Sequence, residues 1–344
     1  MYTSFLGLSR EPFRMTPDPA LVYMTNSHRE TLAGLRYAIL AEKGFALVTG
    51  DAGTGKTTII SRLRAYLPAR VKVFLILNPV LQPDEFLEFL LIHFGVETIP
   101  PSKTRRLLIL QDLLLQADRH GELPVLIIDE AHKLSPDILE EVRLLGNLET
   151  PAKKLLQVVL VGQSELCDLL NRGDLRQLKQ RFATRLRLNP LSAQETSEYI
   201  AFRWQGSGGV LPPPFTPEAL ALTARYSKGI PRLINAICDN ALILMIAEGK
   251  SIVDERVVVP VCSDLDLLDP APPAGSRPAA AHPAATSEAV DAVPAVPIEM
   301  PPVSIAAGTA ERQAAPFQTL QRYADAASRK SLLTRVVARF GWAS

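Results

Sequence analysis

Short apolar runs alternate with longer stretches of helical periodicity along the first 190 residues. The runs are FALVTG (45–50), VKVFLIL (71–77), VLIIDE (125–130) and LQVVLVG (156–162), with RLRLNP (185–190) as a fifth strand. The first four are nearly continuous, as expected of strands covered on both faces of a parallel sheet. Between them, residues 27–42, 56–66, 83–93, 104–119 and 136–148 carry helical spacing. Ser27 with Glu30 fits a capping box at the first of these helices. The alternation predicts an α/β fold, a three-layer α/β/α domain on a parallel five-stranded sheet with right-handed crossovers. From about 192 the strand pattern stops. Helical stretches at 192–205, 216–227 and 231–247 predict a small α-helical lid, with Ser192–Glu195 and Thr216–Pro217 as helix starts. No internal repeat is visible.

Composition changes this picture only near the end of the chain. Of the 344 residues 47% are hydrophobic, ample for a buried core, and 37 basic residues balance 36 acidic ones. That balance argues against a protein that coats polyanions wholesale. From Asp269 to Pro316 there are 15 Ala, 10 Pro and no aromatic residue. Such a stretch buries too little apolar surface to offset its ordering entropy, and reads as a disordered, semi-extended linker. Residues 317–344 hold five basic residues and one acid, with Leu332, Leu333, Val336, Val337 and Phe340 at helical spacing. This is a weak terminal helix or a docking segment for a partner, an anionic membrane surface or nucleic acid. The expected organisation is an N-terminal linker motif (1–26), an α/β domain (27–190), a lid (191–262), an Ala/Pro-rich linker (263–316) and the basic segment (317–344).

Cys167, Cys238 and Cys262 are widely separated and form neither a disulfide framework nor a metal-ligand pair. The N-terminus lacks the build of a signal peptide, and no apolar run reaches the roughly 18 residues of a membrane span. The expectation is a cytoplasmic protein, with peripheral contact at the inner face of the membrane open to residues 317–344.

The chemistry sits at the strand ends. Gly50, Asp51, Ala52, Gly53, Thr54, Gly55, Lys56 and Thr57 match G-x-x-x-x-G-K-[ST] between a strand and a helix, and Thr58 follows. Glycines let the backbone curl so that its N–H groups meet phosphate oxygens, and the helix adds its positive end. This is the loop of a P-loop NTPase: Lys56 reaches the β- and γ-phosphates and Thr57 ligates Mg2+. In Val125-Leu126-Ile127-Ile128-Asp129-Glu130 the strand ends on two carboxylates. Asp129 is expected at the metal and Glu130 at the attacking water. His132 completes a D-E-A-H string, read as structural or conformational because other helicase motifs are missing. Gln163, just past LQVVLVG, is placed to orient water or read the γ-phosphate. Arg181, before the fifth strand, is the candidate arginine finger in trans, with Arg185 in reserve. Arg232, in Gly229-Ile230-Pro231-Arg232, would reach the nucleotide from the lid of its own subunit.

P-loop, Asp-Glu strand, polar sensor, Gln-Arg before a strand and G-x-P-R in a helical lid together resemble an AAA+ ATPase. The string Phe5-Leu6-Gly7-Leu8…Pro12-Phe13…Thr16-Pro17-Asp18-Pro19 narrows the resemblance. With His28-Arg29-Glu30, Gly162-Gln163-Ser164-Glu165-Leu166 and Gly229-Ile230-Pro231-Arg232-Leu233-Ile234-Asn235, it is similar to the general secretion pathway protein A family of bacterial ATPases. The likeness covers about residues 1–262. It extends to ATPases of exopolysaccharide and protein-sorting systems, and more distantly to those that select transposon targets. Secretion members typically continue into a membrane span and a peptidoglycan-binding domain; here an Ala/Pro-rich linker and a basic segment follow. The sensor is Gln163 where many AAA+ proteins have asparagine. The resemblance implies ATP and Mg2+ as cofactors, and a homo-oligomer with nucleotide at subunit interfaces. Three uses stay open: an ATPase powering envelope, secretion or export assembly, a DNA-associated regulator of transposition or replication, or a nucleotide-dependent scaffold with little turnover.

Overall fold

The computed structural model describes residues 2–268, apart from 17, 19, 20, 78 and 80. The basic segment, and the linker from 269 onward, lie outside the described residues. In chain order the elements are α1 (Tyr2–Phe5), α2 (Asn26–Leu40), β1 (Phe45–Thr49), α3 (Lys56–Tyr66), β2 (Val71–Ile76), α4 (Pro83–His93), α5 (Lys103–Arg119) and β3 (Leu123–Ile128). There follow α6 (Pro136–Leu145), β4 (Gln157–Gly162), α7 (Glu165–Leu170), α8 (Arg176–Arg181) and β5 (Phe182–Arg187). The chain then runs through α9 (Ala193–Gly206), α10 (Pro217–Ser227), α11 (Pro231–Ala247) and α12 (Glu255–Asp264).

The five strands form one sheet in the order β2-β3-β4-β1-β5, every pair parallel. Alternate residues of each strand feed opposite layers, because side chains switch face at every step. Phe45, Leu47, Leu126, Ile128, Val158 and Leu160 pack under α4, α5 and α6. Ala46, Val48, Val125, Ile127, Val159 and Val161 pack under α2 and α3. The central strands β3 and β4 are buried along their whole length. This is the three-layer arrangement expected from the apolar runs.

Three features differ from the sequence reading. β5 begins three residues earlier than RLRLNP, at Phe182, whose ring packs edge-on to Phe45 at 5.6 Å. As an edge strand it alternates covered and exposed positions, only Phe182 being fully buried, and leaves Arg185 and Arg187 exposed. The capping box of α2 uses Thr25 and His28, not Ser27 and Glu30: Thr25 precedes the helix in extended backbone, and its hydroxyl accepts from the His28 N–H. α1, α7, α8 and α12 were not foreseen; α1 spans four residues, α7 and α8 six each, and α12 contains Pro260.

The helices after β5 share a second core with the N-terminus. Phe13 is fully buried beside Leu191, Trp204, Phe215, Ile234 and Leu242. Burial of such a side chain is worth about 1.5–3 kcal/mol. The buried Arg203 guanidinium adds a bond to the Pro12 carbonyl and one to Tyr199 Oη. Among the described residues no helix is long and apolar enough to cross a membrane.

Candidate active site

A parallel sheet brings all its strand ends to one edge, and loops leaving that edge become neighbours. β1 runs into residues 50–55, β3 into Asp129 and β4 into Gln163. The order β3-β4-β1 sets these three loops side by side. Pairing of Thr49 with Gly162 and of Ile128 with Leu160 fixes their level.

Gly53 and Gly55 have φ of 80° and 98°, a region that favours glycine. Gly55 is the N-cap of α3 and no side chain caps that end, so its first N–H groups are available to an anion. A Cβ at Gly53 would lie 2.8 Å from Arg232 Cβ, so the lid touches the P-loop here. Lys56 is 6% exposed, and its Nζ donates to the Gly50 and Asp51 carbonyls, each at 2.8 Å. Burial pushes its pKa below the ordinary lysine value, while the Glu130, Asp129 and Asp51 carboxylates oppose that shift.

Asp129 is 2% exposed. Its Oδ2 accepts from Thr57 Oγ1 at 2.7 Å and its Oδ1 from the Glu130 N–H at 2.9 Å. A hydroxyl and a buried carboxylate in contact are the hard oxygen donors that Mg2+ takes, so these residues fit the implied ion. Glu130 has φ of 55°, uncommon for a side-chain-bearing residue and a mark of functional sites. Its carboxylate is partly exposed, 3.3 Å from Lys133 Nζ and 3.7 Å from His132 Nε2. Gln163 is half-buried, with its side-chain amide 3.2 Å from the His132 ring.

Arg232 stands near the start of α11, is exposed, and makes no hydrogen bond or ion pair among the described residues. Arg181 is held by its own chain. Its Nη1 donates to the Arg143 carbonyl at 3.1 Å, its Nη2 to Asn147 Oδ1 at 2.5 Å, and its guanidinium lies 5.8 Å from the Phe45 ring centroid. Arg185 donates to the Phe182 and Lys179 carbonyls at 3.3 and 2.8 Å. The structure thus gathers Lys56, Thr57, Asp129, Glu130, Gln163 and Arg232. The bonds of Arg181 and Arg185 run instead to the α6 and α8 regions.

The sequence reading assigned no role to His28. Its buried ring closes the P-loop from behind. Nε2 lies 3.3 Å from the Thr54 carbonyl and Nδ1 2.6 Å from Thr25 Oγ1. A carbonyl only accepts, so Nε2 carries the proton and Nδ1 accepts from the threonine hydroxyl. Burial lowers the pKa of this ring. A cleft beside Gly55 and Thr58 is walled by His28, Tyr23, Leu191 and Tyr199. Threonine three residues before a histidine at a helix start was the available signal, but Ser27–Glu30 competed with it.

A family described as AAA domain matches residues 39–170. General secretion pathway protein A of Aeromonas hydrophila is 47% identical over 254 residues, which are 73% of this chain and 46% of that protein. The chain thus spans less than half the length of that relative. Among solved structures, the Aeropyrum pernix ORC2 protein in ADPNP–ADP complexes superposes with a TM-score of 0.54 at 18% identity, over 74% of this chain and 71% of that one. Drosophila ORC bound to DNA gives 0.55 at 22% identity, over 75% and 65%. At such identities the two likenesses speak for the fold. Sheet, P-loop and relatives agree: the chain carries an AAA domain of the P-loop NTPase fold and resembles general secretion pathway protein A.

Proposed function

We propose that this chain binds Mg–ATP and hydrolyses it, and that turnover drives assembly of an envelope, secretion or export system. The contact between Thr57 Oγ1 and Asp129 Oδ2 carries the reading, because it sets two hard oxygen ligands beside a buried ammonium and an uncapped helix start. That combination suits a phosphate chain with its metal. Thr57 and Asp129 would hold Mg2+, which supplies charge neutralisation on the β- and γ-phosphates.

The remaining roles follow from position. The backbone of Gly50, Asp51, Ala52, Gly53, Thr54, Gly55 and Thr58 wraps the phosphates. Lys56 exchanges its two carbonyl acceptors for phosphate oxygens. Glu130, partly exposed and within the field of Lys56, takes the proton of the attacking water. Gln163 reads the γ-phosphate. Arg232 neutralises developing charge from the lid of the same subunit, and its place against Gly53 supports this. The cleft beside Thr58 receives the adenine end, with Tyr23 and Tyr199 as aromatic walls. Arg181 serves a neighbouring subunit in a homo-oligomer after leaving Asn147, with Arg185 as the reserve. The secretion assignment is supported by the name of the 47%-identical relative. With it goes a cytoplasmic chain whose residues 317–344 are open to peripheral contact at the inner face of the membrane.

Glu130→Gln tests both levels. The amide cannot act as a base, so the variant should bind ATP without turnover and hold its assembly on its client. Wild-type turnover by this variant would remove Glu130 from the chemistry. Recovery of envelope or export components from native cells supports the assembly role; recovery of DNA replaces it with the transposition or replication reading.

A further inference from the structure

His132 lies on the short 3-10 turn Ala131–Lys133, between the two side chains assigned above to the water and to the γ-phosphate. Its side chain is 14% exposed. The turn packs tightly on the end of β4: a Cβ at Gly162 would come within 3.3 Å of the His132 nitrogen and 2.8 Å of Leu166 Cδ2. The backbone that carries the ring is therefore held close against the end of β4.

Its protonation follows from its neighbours. The Gln163 backbone N–H points at Nδ1, with 3.4 Å between the nitrogens. A backbone N–H only donates, so Nδ1 is the acceptor and the ring proton sits on Nε2. Nε2 lies 3.2 Å from Gln163 Nε2. Two N–H groups cannot bond each other, so a half-turn of the amide brings Oε1 to the ring. The amide NH2 then faces away from the imidazole. Glu130 Oε2, 3.7 Å from the same Nε2, is a second acceptor within its reach.

We propose that His132 is a positioning residue: its Nε2–H holds the Gln163 amide with the NH2 end turned to the γ-phosphate, and its nearness to Glu130 ties phosphate reading to water activation. The inference rests on the roles given to Glu130 and Gln163. It uses the neutral imidazole throughout and needs no change of charge.

His132→Ala and His132→Gln are made in the full chain, alone and with Gln163→Ala, and ATP and ADP affinities are measured in the Glu130→Gln background. His132→Ala should lower kcat about 10–100-fold and raise KM about 3–10-fold, as expected of a contact that exists in the ATP complex and strengthens in the transition state. It should weaken ATP binding about 3–10-fold and leave ADP binding unchanged, since only the γ-phosphate contact is misaligned. Intact ADP affinity also shows that the variant folds. His132→Gln, whose amide can donate from a similar place, should recover most of the rate. The double variant with Gln163→Ala should be no slower than Gln163→Ala alone. Losses that multiply in the double variant, or equal loss of ATP and ADP affinity, would overturn the positioning role. If Glu130→Gln alone hydrolyses ATP at the wild-type rate, the base assignment fails separately, and the ATP-over-ADP preference still decides the His132–Gln163 pairing.

Discussion

Lys56 and Asp129 are 6% and 2% exposed and bonded to neighbours at the sheet edge, whereas Arg232, packed on the same P-loop, is exposed and bonded to nothing among the described residues. The strand-end half of the site is fixed by the fold before any ligand arrives. The arginine half is either unengaged, as at Arg232, or engaged elsewhere, as at Arg181 on Asn147. The first half suits binding, which gains from preorganisation. The second suits a step that occurs only as charge develops or subunits meet.

If that division is right, damage to the strand-end half should remove binding, and damage to the arginine half should spare it. Lys56→Ala should give the largest effect, weakening ATP by at least about 100-fold in calorimetry, because the buried cation on the phosphates disappears. Retained binding would dissolve the contrast. Glu130→Gln should cut turnover by about 10²–10⁴-fold while calorimetric affinity stays within about threefold. Arg232→Ala should lower kcat by about 10–100-fold with ADP affinity unchanged; loss of ADP binding would move Arg232 to the preorganised half. For Arg181, wild-type activity per subunit should rise with protein concentration and then level off. Mixing the inactive Arg181→Ala and Lys56→Ala proteins should restore part of it, because each supplies what the other lacks. Absence of both effects would leave Arg181 as a brace between α8 and α6.

The smallest effect concerns His28. Burial holds its pKa below the usual histidine value near 6.5. Above that pH the ring is neutral in folded and unfolded chains, and its contribution to stability is complete. As pH falls below 6.5 the unfolded chain takes up a proton first, so stability declines by at most about 1.4 kcal/mol per pH unit until the folded ring also protonates. Thermal melts from pH 7.5 to 5.5 should show this decline in the wild type and a shallower one in His28→Asn. Parallel curves would assign the acid sensitivity to other groups.

The strand-end half was legible because each piece is contiguous: glycines, lysine and threonine in eight residues, and two carboxylates closing an apolar run. Gln163 was legible because β4 ends one residue before it. The cleft was not, since Tyr23, His28, Leu191 and Tyr199 come from four segments that only the lid brings together. α12 was hidden by Pro260, which removes a backbone donor yet lies on an exposed side where the loss is tolerated. The fifth strand was misplaced because an edge strand, wetted on one side, lacks the continuous apolar run that marks its buried neighbours.

Phe13, deep in the core of α9–α12, has a mechanical consequence. The chain starts among the lid helices, crosses to the sheet before α2, and crosses back after β5. The two are thus joined by two covalent links, one just before α2 (21–25) and one near residues 188–192. Besides these links, the lid meets the sheet domain where Arg232 packs on Gly53. Val22 and Leu191, one from each link, both line the cleft beside the P-loop. A molecule seated there would touch both links at once, so its fit depends on how the lid is set against the sheet.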